Sequence, residues 1–139
     1  MMIGTVIYTL MGRVTKRTKI KKGGKTYMSR CDVKQNALCK SLGPKYKIMY
    51  IDGERCIYRD FGNGFDVEIC NTHTTSNRKT ATIYLWYMPE KMTVKRVSGV
   101  NQSDIEKVVD ELYKFSQELL HKGITDRKAL WEIRRTLST

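Results

Sequence analysis

Through the middle of the chain, apolar and polar residues alternate with the two-residue period of a strand. Phe65, Val67 and Ile69 take turns with Asp66 and Glu68, which predicts a strand with one wet face. Residues 80–88 read Thr-Ala-Thr-Ile-Tyr-Leu-Trp-Tyr-Met, the clearest strand of all. There Ala81, Ile83, Leu85 and Tyr87 point one way, and Thr82, Tyr84, Trp86 and Met88 the other. Upstream, residues 46–51 and 54–60 flank Asp52-Gly53, a tight hairpin dipeptide. Residues 93–97 add a further strand, while Phe61-Gly-Asn-Gly64 and the polar run 71–79 read as loops. Near the start, residues 3–10 are rich in β-branched side chains and predict a strand, with Gly12 at a bulge or bend. Residues 14–22 and 26–28 then flank Gly23-Gly24, a pair that tolerates the positive φ of a tight turn. Residues 1–30 are therefore expected to form a basic β-hairpin, with a flexible arm as the competing reading.

Elsewhere the period becomes helical. Ser29 or Asp32 caps a short helix running to Ser41, and Gly43-Pro44 ends it. Ser103-Asp-Ile-Glu106 has the spacing of a capping box, and behind it Ile105, Val108, Val109, Leu112, Phe115, Leu119 and Leu120 recur on one helical face. His121 and Lys122 suit the negative helix end, and Gly123 stops it. Thr125 or Asp126 then caps a last helix carrying Leu130, Ile133 and Leu137. The expected fold is α+β: a mostly antiparallel β-meander of about five to six strands, with a basic N-terminal hairpin and two C-terminal helices packed on one face. With 139 residues there is room for one domain, comprising the hairpin or arm (1–30), the sheet (46–97) and the helical part (103–137).

Charge changes the picture more than composition does. Hydrophobic content of 40% and charged content of 29% are ordinary and exclude wholesale disorder. Lys and Arg number 26 against 14 Asp and Glu, for a net charge of +12. No acid interrupts Arg13, Lys16, Arg17, Lys19, Lys21, Lys22, Lys25 and Arg30, whereas residues 101–139 carry seven charges of each sign. Such asymmetry predicts a localised positive surface facing a polyanion or an acidic partner. A solvated face that only maintains solubility would have the same composition.

Candidate chemistry is sparse. Of the two histidines, His73 falls in the polar loop and His121 is explained by its helix end, with no nucleophile–base pair nearby, so no catalysis is expected. Cys31, Cys39, Cys56 and Cys70 contain no CxxC pair, and Cys70 with His73 lacks two further ligands, so neither metal nor cofactor is expected. The apolar opening, residues 1–11, has no basic residue ahead of it and is too short to span a bilayer, which predicts a cytoplasmic chain with reduced thiols and no membrane partner. Lys22-Gly-Gly-Lys25 lacks the glycine spacing and following helix of a nucleotide loop. Tyr84 and Trp86, facing away from the aliphatic side of their strand, are candidates for stacking bases, with Arg55, Arg59 and Arg96 as nearby cations. The competing expectation is burial of both rings beneath the N-terminal strand or the 28–42 helix, with Asp66 and Glu68 repelling phosphate from the same face.

Taken together, these features predict a small, basic, non-catalytic binding protein. The eight cations between Arg13 and Arg30 are expected to neutralise nucleic-acid phosphates without reading sequence. In composition alone the chain is similar to accessory proteins of phages and mobile elements, anti-CRISPR inhibitors among them. That similarity implies an alternative in which the same patch docks on an acidic or nucleic-acid-binding surface of a larger protein or protein–RNA complex. A third expectation is an enzyme whose site is assembled from residues distant in sequence.

Overall fold

A computed structural model describes residues 21–22, 25–26, 29–73 and 80–137. The strand expected over residues 3–10, the bend at Gly12 and most of the 14–22 segment lie outside the described residues. What is described of the hairpin is β1 (Lys21–Lys22) and β2 (Lys25–Thr26), antiparallel and with Lys22 opposite Lys25. This register brackets the expected two-glycine turn.

Ser29 is the cap of α1 (Arg30–Leu42): its hydroxyl accepts from the Asp32 amide at 3.1 Å, satisfying one of the free donors of the first turn. Gly43 ends the helix at φ 115°, a backbone region that side chains with a Cβ avoid. A five-stranded antiparallel sheet follows in simple meander order: β3 (Lys47–Ile51), β4 (Glu54–Asp60), β5 (Phe65–Cys70), β6 (Thr80–Tyr87) and β7 (Met92–Asn101). Short connections between sequential neighbours make this the topology of lowest loop-closure cost.

Two C-terminal helices, α2 (Ile105–His121) and α3 (Arg127–Leu137), complete the chain. At the end of α2, Gly123 adopts φ 70°, its amide bonds the Leu120 carbonyl, and the Ile124 amide bonds the Leu119 carbonyl at 2.8 Å. This paired closure satisfies two of the last free carbonyls and turns Ile124 onto the core. Asp126 caps α3 by accepting from the Ala129 amide.

The main core lies between one sheet face and the helices. Ile57, Phe65, Val67, Ile69, Ile83 and Leu85 supply the sheet side, and Ile105, Val109, Leu112, Leu119 and Leu130 the helical side. Cys39 with Leu38 and Leu42 brings α1 to this same face. All three helices therefore share one layer, and the expectation that the 28–42 helix covers Tyr84 and Trp86 is overturned. Hydrophobic positions on α1 that match the aliphatic side of the sheet decide the matter.

Three local expectations also change. The capping box does not form: Gln102–Asp104 make a 3-10 turn, and Asp104 precedes α2 without a side-chain cap bond. The turn takes Ser103 out of the extended backbone that an N-cap residue needs. The last strand extends to Asn101, past Ser98-Gly99, because irregularities in its pairing with β6 absorb the extra residues. Asp66, expected on a wet face, is fully buried and accepts a hydrogen bond from the Tyr58 hydroxyl at 2.6 Å. The second sheet face carries its own small cluster of Ile51, Cys56, Tyr58 and Cys70, which period-two patterning does not reveal. Among the described residues, no helix is long and apolar enough to cross a membrane.

Candidate nucleic-acid interface

Of the eight predicted cations, Arg13, Lys16, Arg17 and Lys19 lie outside the described residues. Lys21 and Lys22 belong to β1 and Lys25 to β2, so backbone pairing places Lys22 and Lys25 at one register position. Arg30 is the first residue of α1 and is exposed.

A second group of cations becomes visible on α3. Leu130 is fully buried and Ile133 packs against the core, which turns the opposite side of the helix to solvent. Trp131 stands there, 48% exposed. Arg127 and Lys128 precede it by four and three residues, and Arg134 and Arg135 follow it by three and four. Those are the spacings at which side chains meet on a helix surface, so four cations surround one indole. Arg135 also contacts Glu132 at 2.8 Å, but both side chains are more than half exposed, and such a pair is weak. Arg127 donates to the Glu90 carbonyl, tying the start of α3 to the turn before β7. An exposed ring with flanking guanidinium groups offers stacking, cation–π contact and phosphate binding together. Sequence charge counting misses this site because residues 101–139 balance to zero, although the three- and four-residue spacing was present to be read.

Tyr84 and Trp86 are half-buried on the sheet face away from the helices. Their cross-strand partners on β5 are Glu68 and Asp66, and on β7 Arg96 and Thr93. A carboxylate beside each ring weighs against a polyanion at this face. Arg55 and Arg59, expected as neighbours, are on the helix-covered side. Arg55 donates to Gln35 and Asn36 of α1, and Arg59 lies over the Tyr46 and Phe61 rings at 5.4 and 5.2 Å. Alternation along β4 sends both away from Trp86, leaving Arg96 on its side.

Among the described residues, Glu54, Cys56 and Cys70 form a cluster whose donor atoms lie within 4.8 Å of one another. His73, three residues beyond Cys70, turns instead to Gln102, with Nε2 3.3 Å from its side-chain nitrogen. Burial, with a smaller contribution from the Lys34 charge, holds the His73 pKa below its ordinary value.

No protein-family model matches the chain, and no curated protein or solved structure matches it either.

Proposed function

We propose that the chain is a non-catalytic, cytoplasmic binding protein that holds nucleic acid through its cations. The observation that carries this reading is the run of eight basic residues from Arg13 to Arg30 without an intervening acid. Short-range ion pairing within the run cannot neutralise it, and phosphates can. Binding of this kind follows the backbone and is independent of base sequence.

The exposed Trp131 with its flanking arginines favours a second reading. Tryptophan and arginine are the residues that anchor protein interfaces, and the same surface suits an inhibitor of the mobile-element type docking on an acidic or nucleic-acid-binding protein surface.

One experiment separates the two. Random-sequence DNA and RNA are titrated with the protein at rising salt, beside a variant with Lys16, Arg17, Lys19, Lys21 and Lys22 changed to Glu. With about five phosphate contacts, log affinity falls against log salt with a slope of roughly −3.5 on single strands and −4.5 on duplex. The variant stays folded and loses binding. Weak binding of naked nucleic acid by the wild type, with nuclease-resistant capture of a protein that the variant fails to capture, selects the inhibitor reading. A folded variant that behaves as wild type in both assays defeats both.

A further inference from the structure

Cys56 of β4 and Cys70 of β5 stand one position beyond the Ile57–Ile69 pair, directly across the ladder from each other. Both are buried free thiols, and their Sγ atoms are 3.1 Å apart. Glu54 lies at the start of β4, two residues before Cys56 and therefore on the same sheet face, where it is exposed beside the Asp52-Gly53 turn. A cavity of about 260 Å³ reaches all three residues and is also lined by Glu68, Tyr84 and Trp86.

We propose that Glu54, Cys56 and Cys70 form a binding site for a thiophilic divalent cation such as zinc, on the sheet face away from the helices. Two thiolates and one carboxylate make a donor set suited to zinc, and the cavity leaves a fourth position open. Zinc–sulfur bonds of about 2.3 Å in a tetrahedron place two sulfurs roughly 3.8 Å apart, so the pair must part by less than an ångström. Glu54, at the exposed edge, has the freedom to close on the ion. Binding exchanges two S–H bonds for two S–Zn bonds, and both protons leave to solvent.

Glu68 lines the same cavity, and a carboxylate there is a favourable neighbour for a divalent cation. Separation of the two cysteines by fourteen residues hides the site from motif spacing, since only strand pairing joins them.

The test uses the full chain, reduced and stripped of metal, titrated with zinc alone against a chromophoric competitor. One equivalent binds, releasing about two protons per ion, and cobalt in its place gives thiolate-to-metal charge-transfer absorption with tetrahedral visible bands. Cys56→Ser and Cys70→Ser lose that absorption. Glu54→Gln, at an exposed position, keeps the fold and weakens zinc by roughly tenfold or more. Cys31→Ser binds as wild type. The proposal fails if the wild type takes up no stoichiometric zinc, or if a folded Cys56→Ser variant retains it. It also fails if Glu54→Gln leaves the affinity unchanged, or if native protein carries a Cys56–Cys70 disulfide and still takes up no zinc once reduced.

Discussion

Gln35 and Arg55 hold each other in both directions: Gln35 Nε2 donates to the Arg55 carbonyl at 3.0 Å, and Arg55 Nη1 donates to Gln35 Oε1 at 2.7 Å. Arg55 Nη2 reaches Asn36 Oδ1 at 2.6 Å, and Gln35 also donates to the Thr72 hydroxyl. This clasp sets α1 across the end of β4, where Gln35 is almost fully buried. Gln35→Ala removes one partner and leaves buried donors and acceptors unpaired. It is expected to cost about 1–3 kcal/mol by urea denaturation. Arg55→Lys should also destabilise the fold, because an ammonium cannot span Gln35 and Asn36 as a planar fork does. A Gln35→Ala loss below about 0.5 kcal/mol would mean that α1 is held by its apolar residues alone.

Leu112 closes the core from α2, which packs on β6 and β7. Leu112→Ala opens a cavity in that layer and should destabilise by about 2–5 kcal/mol. Chemical denaturation is the measurement. Near-wild-type stability would contradict a docked α2.

Trp131 is expected to matter for binding rather than folding. Leu130 and Ile133 keep α3 on the core when the indole is removed. Trp131→Ala should therefore preserve the helical circular dichroism and weaken single-strand binding by about 1–3 kcal/mol, the contribution of one stacked base. Unchanged affinity in the folded variant would remove α3 from the interface.

His73 makes stability depend on acidity. Its pKa in the folded chain lies below the ordinary 6.5 because burial disfavours the charged ring. Above that value both folded and unfolded states hold it neutral and it contributes nothing. As pH falls through 6.5 toward the folded value, the unfolded state takes the proton first, and stability is lost. His73→Asn should lose less in melting temperature than wild type between about pH 7 and pH 5. Parallel curves for the two proteins would show that the ring titrates as it does in the unfolded chain.

Most strands and helices of the described chain were legible from local chemistry, although the last strand runs on to Asn101 and a 3-10 turn precedes α2. Ala81, Ile83, Leu85 and Tyr87 mark the covered face of β6 by simple alternation, and Ile105, Val109 and Leu112 mark the matching side of α2 by helical spacing. Asp52-Gly53, Gly43 and Gly123 mark turns and helix ends because each requires a backbone that few residues adopt. The acid-free basic run is likewise a property of sequence alone. Only the tertiary structure decided which groups meet. Asp66 looks solvated in a strand pattern, yet Tyr58 reaches it across the ladder and it is buried. Arg55 and Arg59 look like partners of Trp86, yet β4 turns both to the helix side. Cys56 and Cys70 become neighbours only through the register of β4 on β5, and Trp131 becomes an exposed ring only once Leu130 commits the other side of α3 to the core. Periodicity specifies which face a side chain takes within its own element. What lies opposite that face depends on register and packing between elements, which no local pattern contains.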